Sequence, residues 1–289
     1  MTNSSQDESG VAVARSVVDL RARIADWRAA GARIALVPTM GALHAGHISL
    51  VEEAKQRADR IVMSIFVNPM QFAPNEDLSS YPRRFEEDAE KFAAAGGDLI
   101  FAPDVGEIYP EGFATTVTVA GPASVGLEDK FRPTHFAGVA TVVAKLLNQC
   151  RPDVAIFGEK DYQQLKVIMR MVRDLDFETE IVGAPTLREP DGLAMSSRNL
   201  YLSPDERERA PLLHEALKRC AAALRGGIKI TSVQAAALEE LEAAGFSVDY
   251  IEARHAETLA PVTRLGDGPV RLLAAARLGT TRLIDNIAV

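Results

Sequence analysis

Two histidines three residues apart, His44 and His47, stand between an apolar run and a helical pattern, with Gly41 and Gly46 beside them. A neutral imidazole carries one N–H donor and one acceptor. Imidazoles at i and i+3 face the same side of a helical turn, so both can donate to the oxygens of one phosphate. The start of a helix suits an anion for a second reason: its first N–H groups lack partners and the helix dipole is positive there. Glycines let a ligand approach the backbone closely. An isolated His-x-x-His pair would carry little weight, because most histidines are surface or satisfied core residues. The preceding strand, the two glycines and the helix start lift this pair above that.

Three further polar clusters lie at or after strand-like runs. Asn68 and Gln71 follow the second run. Gly158-Glu159-Lys160-Asp161 follows a later one, with Gln164 one turn on. Met195-Ser196-Ser197-Arg198-Asn199 lies in a polar loop. Lys160, after a glycine, can meet a phosphate as a point charge, or be a solvated surface lysine. Asp161 and Gln164 have the spacing of a capping pair, and capping alone would explain both. Two hydroxyls and a guanidinium in one short loop make a phosphate clamp. Glu86, Glu87 and Asp88 offer carboxylate oxygens to a magnesium ion, or form a solvated acidic helix face. His135 is a weaker anion candidate, and His214 and His255 read as ordinary residues. No Ser-His-Asp or Cys-His set is evident.

The elements that must position these residues alternate. Ser16 opens a helix carrying Val17, Leu20, Ile24 and Trp27 at helical spacing, and Gly31 ends it. A strand over 33–37 leads to the histidines and a helix to about Ala58. Residues 61–67 form a nearly continuous apolar run, as in a strand buried on both faces of a parallel sheet. A polar loop spans 70–82. A helix from about Arg84 to Ala95 precedes a strand over 99–102. Residues 115–119 read as an edge strand. A helix after Pro133, a strand over 154–157, another helix and a short strand at Ile181-Val182 complete a doubly wound α/β pattern. After Pro185 the pattern changes: Ser203-Pro204-Asp205-Glu206 starts the first of two helices, one to about Leu224 and one from Ser232 to Ala244, and three closely spaced strand-like runs suggest a small α+β domain with an antiparallel sheet.

The chain has 289 residues, 47% of them hydrophobic, and a formal net charge of −8. That charge argues against a broad nucleic-acid surface, though not against a local basic pocket. No stretch is long and apolar enough to span a membrane, and residues 1–10 lack the pattern of a secretory signal and read as a frayed tail. Cys150 and Cys220 have no metal-ligand spacing and read as buried thiols of a reducing, cytoplasmic setting.

Several long motifs stand in one order: residues 38–47, Phe66-Val67-Asn68-Pro69-Met70-Gln71-Phe72, Tyr81-Pro82-Arg83, residues 132–139 (with His135, Phe136 and Gly138), residues 157–164 and residues 195–199. With these, the sequence resembles the pantothenate synthetase (pantoate–β-alanine ligase) family from about residue 17 onward. The first motif is also the H-x-G-H signature of a wider nucleotidyl-transfer superfamily that includes class I aminoacyl-tRNA synthetases. The resemblance implies a Rossmann-like α/β fold: a flexible tail over 1–15, an ATP- and pantoate-binding domain over 16–185, and a C-terminal lid over 186–289. It implies ATP and magnesium, a homodimer, and no nucleic-acid or membrane partner. (R)-pantoate would be activated as pantoyl adenylate and captured by β-alanine. By the same resemblance His44, His47, Lys160 and Arg198 are catalytic, with His47 the proton donor. ATP would meet Pro38, Met40, Gly41, Ala42, Leu43, Ala45, Gly46, Gly158, Glu159, Asp161, Leu187, Met195, Ser196 and Ser197 as well. Gln71, Gln164 and Asn68 would hold pantoate and β-alanine, and Asp88 would touch the metal. The alternative reading is a nucleotidylyltransferase acting on a phosphorylated small molecule, which would want extra basic residues for the acceptor phosphate.

Overall fold

The computed structural model describes residues 10–73, 78–79 and 81–289. The chain divides into two compact units. The first comprises residues up to 159 together with 167–184; the second comprises 160–166 and 185–289.

In the first unit the elements run β1 (Ala12–Ala14), α1 (Val17–Ala29), β2 (Ile34–Thr39), α2 (Ala45–Lys55), β3 (Arg60–Ile65), α3 (Phe85–Ala94), β4 (Leu99–Phe101), α4 (Val105–Ile108), α5 (Glu128–Phe131), α6 (His135–Cys150), β5 (Val154–Gly158), α7 (Tyr162–Asp174) and β6 (Glu180–Ala184). The first turn of α7 groups with the second unit. All six strands are parallel, in the order β1-β4-β3-β2-β5-β6. Such a sheet is covered on both faces, which is why Ile34, Ala35, Leu36 and Val37 form an unbroken apolar run and are all fully buried. Ser16 caps α1, its Oγ accepting the Asp19 N–H at 3.1 Å and donating to the Asp19 carboxylate at 2.7 Å.

Two expectations fail here. Residues 12–14 are not tail: they add a short edge strand, Val13 in register with Ile100. Three residues with two alanines are too short and too weakly apolar to stand out in sequence, and neighbouring β4 supplies the pairing. Residues 1–9 lie outside the description, as do 74–77 and 80 of the loop expected over 70–82. Residues 115–119 form no strand. The Val117 N–H donates to Thr141 Oγ1 of α6 at 2.9 Å, so a helix side chain meets the donor that a ladder would have used.

The second unit contains α8 (Pro204–Arg209), α9 (Leu212–Arg225), α10 (Ile230–Ala243), β7 (Phe246–His255), β8 (Val270–Leu278) and β9 (Thr281–Ala288). The strands form an antiparallel meander in the order β7-β8-β9. Leu213, Leu217 and Leu224 of α9 pack with Leu241 of α10 and with Leu272, Ala274 and Ala276 of β8. Ser203 and Glu206 close a reciprocal capping box on α8, with Pro204 in its first turn. Among the described residues no helix is long and apolar enough to cross a membrane.

Phe92 of α3 is fully buried in the first unit's core, and a Cβ on Gly97 would lie 2.0 Å from its ring. The Phe92 side chain therefore fills the space that glycine vacates where α3 turns into β4. Phe92→Ala should cost about 3–5 kcal/mol, read as a lowered urea midpoint, because the cavity is bounded by a rigid sheet.

Candidate active site

The strand order reverses at β2, which pairs with β3 on one side and β5 on the other. Ligands of such sheets bind beyond the carboxyl ends of the strands at this reversal. The histidine turn leaves β2 there, and Gly158 ends β5.

The turn is unusual in its backbone. Gly41 and Ala42 both have positive φ, +83° and +52°. A Cβ on Gly41 would lie 2.9 Å from Asp88 Oδ2 and 3.2 Å from Ile65, so only glycine fits. Alanine in that region costs about 1 kcal/mol or more. Asp88 of α3 offsets the cost: Oδ2 accepts the Ala42 N–H at 2.8 Å and Oδ1 the Leu43 N–H at 2.6 Å. Lys91, one turn on, donates to the Leu43 carbonyl at 2.9 Å. Burial holds the Asp88 carboxyl above its ordinary range, against the opposing pull of the hydrogen bonds from Leu43 and Ala42. With both oxygens bound to backbone N–H groups, Asp88 is a support for the turn. Among the described residues no group of three or more His, Cys, Asp or Glu could hold a metal ion.

His44 caps α2, its Nδ1 accepting the Gly46 N–H at 3.1 Å. His47 Nδ1 accepts the His44 N–H at 3.3 Å. The rings lie 4.1 Å apart between centroids. A nitrogen that accepts carries no hydrogen, so in both neutral rings the proton sits on Nε2. The capping box thus makes each histidine an Nε2–H donor and spends its Nδ1 on the backbone.

Gln71 is buried and held from several sides. Its Oε1 accepts from Asn68 Nδ2 at 3.0 Å, and its Nε2 donates to Met40 Sδ at 3.0 Å. Asn68 also donates to the Gly138 carbonyl at 3.1 Å and accepts from the Met70 N–H at 3.2 Å and the Tyr109 hydroxyl at 2.8 Å. An amide side chain has two donor hydrogens and two acceptor lone pairs, and these four contacts use all of them. Asn68 is therefore saturated within the protein and orients Gln71. Gln71 keeps one amide hydrogen and one lone pair that no hydrogen bond among the described residues uses.

His135, expected as an anion site, is buried and serves the same network. Its Nε2 receives the Arg132 guanidinium at 3.2 Å, and its Nδ1 lies 3.0 Å from the Gln71 carbonyl. Arginine only donates and a carbonyl only accepts, so the hydrogen is on Nδ1. Gly138 allows the closest approach: a Cβ there would lie 2.2 Å from the Met70 carbonyl oxygen. The residues missed in sequence are Tyr109, Lys91 and the support role of Asp88. Gly138 stands within the motif over 132–139, but Tyr109 lies in an irregular stretch and gives no pattern.

In the second unit Lys160 Nζ lies 3.9 Å from the Asp161 carboxylate. Gln164 is half-buried in the first turn of α7. Ser196 Oγ caps a short turn over Ser197–Tyr201 by accepting the Arg198 N–H at 3.2 Å, so one of the two hydroxyls shapes the loop. Met195 N–H donates to the Leu187 carbonyl at 3.0 Å.

Asp88→Asn leaves one amide of the turn facing an NH2 group. We expect a loss of about 1–3 kcal/mol in stability and faster hydrogen exchange at the Ala42 and Leu43 amides, read by mass spectrometry. Burial raises the Tyr109 phenol to about 12. The folded protein holds this proton more tightly than the unfolded chain does. The stabilisation is therefore complete below pH 10 and is lost as pH rises through about 12. In a spectrophotometric titration one of the five tyrosines should ionise last, and Tyr109→Phe should remove that step.

The model of the family described as pantoate-beta-alanine ligase matches residues 12–288. The chain is 61% identical over 277 residues to a pantothenate synthetase of Bradyrhizobium sp. strain BTAi1, covering 96% of this chain and 98% of that one. A crystal structure of pantothenate synthetase from Thermus thermophilus superposes with a TM-score of 0.89 at 47% identity, covering 95% and 98% of the two chains. A pantoate–β-alanine ligase from Francisella tularensis, in complex with a β,γ-ATP ligand and β-alanine, superposes with a TM-score of 0.79 at 34% identity and covers 96% and 97%. The matched region contains the histidine turn, the Gln71 network and the Lys160 and Ser196–Arg198 segments, and the chain belongs to the pantoate–β-alanine ligase family.

Proposed function

We propose that the histidine turn and the Gln71 network carry the activation half of this ligase's reaction, the ATP-dependent joining of pantoate to β-alanine. A pantoate carboxylate oxygen attacks the α-phosphorus of ATP. The bond to the bridging oxygen breaks, pyrophosphate leaves, and pantoyl adenylate remains. The β-alanine amine then attacks the acyl carbon, loses a proton and displaces AMP, forming the amide.

The observation that carries this reading is the tautomer of His44 and His47. Both present Nε2–H donors, and donors fixed before reaction stabilise charge where it grows, on the phosphate oxygens of the leaving pyrophosphate. His47 would be the proton donor. Lys160, Ser196, Ser197 and Arg198 would hold the triphosphate, with Met195 and Leu187 against the nucleotide. Gln71 and Gln164 would orient pantoate through neutral hydrogen bonds, which leave its carboxylate charged and nucleophilic. Oriented reactants supply much of the rate when no protein nucleophile takes part.

Magnesium, in this reading, arrives with the triphosphate, because the Asp88 oxygens are committed to Ala42 and Leu43. We further propose a homodimer, on the family likeness, and a cytoplasmic setting, which suits two buried free thiols.

Pyrophosphate–ATP exchange tests the reading. Exchange should appear with pantoate alone, before β-alanine is added. Exchange only with a phosphorylated acceptor would overturn it. His44→Ala and His47→Ala should each slow adenylation by about ten- to a thousandfold with the fold kept, the cost of one lost charge-stabilising donor. Unchanged exchange in both would make the pair structural.

A further inference from the structure

Neighbouring residues of β9, Asp285 and Asn286, are both buried and carry polar side chains in a strand otherwise packed in the second unit's core. Adjacent strand residues point to opposite faces, and each of these two holds a different distant segment.

Asp285 receives Arg188 as a two-pronged pair, Nη1 to Oδ2 at 2.7 Å and Nη2 to Oδ1 at 2.9 Å. His214 Nδ1 lies 3.3 Å from the same Oδ2. Burial alone would raise the Asp285 carboxyl, but His214 and Arg188 outweigh it and hold it below its ordinary range. Arg188 also donates to the Gly192 carbonyl at 3.1 Å, closing a small hairpin in which residue 188 bridges Ala194. Asn199 Nδ2 returns to the Ala194 carbonyl at 3.1 Å. The arm carrying Ser196, Ser197 and Arg198 thus leaves a hairpin whose anchor is Asp285.

Asn286 works on the other face. Its Nδ2 donates to the Lys160 carbonyl at 2.9 Å, and its Oδ1 accepts Arg271 Nε at 2.7 Å. The Arg271 guanidinium stacks on Tyr162 at 4.1 Å, two residues beyond Lys160. The backbone of Lys160 is fixed to β9 by a buried amide.

We infer that Asp285 and Asn286 are positioning residues that hold Lys160 and the Ser196–Arg198 loop in one frame, so that a single strand sets the spacing of the triphosphate grip. The inference rests on the reading of those two segments as phosphate contacts. A buried charged pair and a buried, hydrogen-bonded amide are costly to assemble for stability alone, since apolar side chains would pack the same space. Their placement under two segments of like chemistry supplies the reason for them.

The test is kinetic and uses the full chain. Asn286→Asp keeps the acceptor for Arg271 and removes the donor to Lys160; Asn286→Ala is the second variant if the first does not fold. Either should raise KM for ATP about tenfold, the usual worth of one such bond, and leave KM for pantoate within about twofold. In a Lys160→Ala background the same substitution should add nothing further. Arg188→Lys, which keeps charge but loses the two-pronged geometry, should behave likewise against Arg198→Ala. A loss that falls equally on ATP and pantoate, or that multiplies fully onto Lys160→Ala, would overturn the inference while leaving the phosphate reading intact. A Lys160→Ala enzyme with normal ATP kinetics would overturn the phosphate reading, and the inference with it.

Discussion

Beneath the turn from Gly41 to Leu43, one carboxylate accepts two consecutive backbone N–H groups, and the histidine side of the site hangs from it. The turn needs help because two successive residues occupy the left-handed region, one of them an alanine. Without Asp88 the two amides would lose the acceptor they share. With it, the chain leaves β2, reverses and enters α2 with His44 already at the cap. The capping box then uses each Nδ1, and the tautomer of both rings follows from hydrogen bonds that begin at Asp88 of α3.

The same logic recurs at Gln71. Its useful end is defined by what its supports consume. Asn68 spends every lone pair and hydrogen, and the absence of a Cβ on Gly138 lets α6 come close enough to receive one of those hydrogens. His135 and Arg132 hold the main chain from another direction. The Gln71 amide is thus a neutral side chain oriented by the neutral side chains of Asn68 and Met40.

Much of the fold was legible because buried parallel strands leave continuous apolar runs, as at Ile34–Val37 and Ile61–Met63, and because helix starts carry explicit caps at Ser16 and Ser203. The edge strand over 12–14 was not legible, since its pairing is supplied by β4 and three residues carry no period. The site residues of the motifs stood out through their types: histidine, lysine, arginine and glutamine at strand ends. The supports did not. Asp88 reads as one more acid on an acidic helix face, and only the direction of its side chain separates it from Glu86 and Glu87. Tyr109, Asp285 and Asn286 act across long sequence separations that no local pattern encodes.

The hydrogen bond from Asn286 to the Lys160 carbonyl spans 126 positions of sequence, and that separation matters for assembly. The histidine turn can be completed once α3 has left the ribosome, because Asp88 lies close to it in the chain. The Lys160 segment has to wait for β9. Contacts of long separation are entropically expensive to close and form late, so the histidine turn and the Lys160 segment are completed at different stages of folding. A nascent chain still lacking β9 has the acceptor of the histidine turn in place, and the Lys160 carbonyl has yet to meet its Asn286 donor.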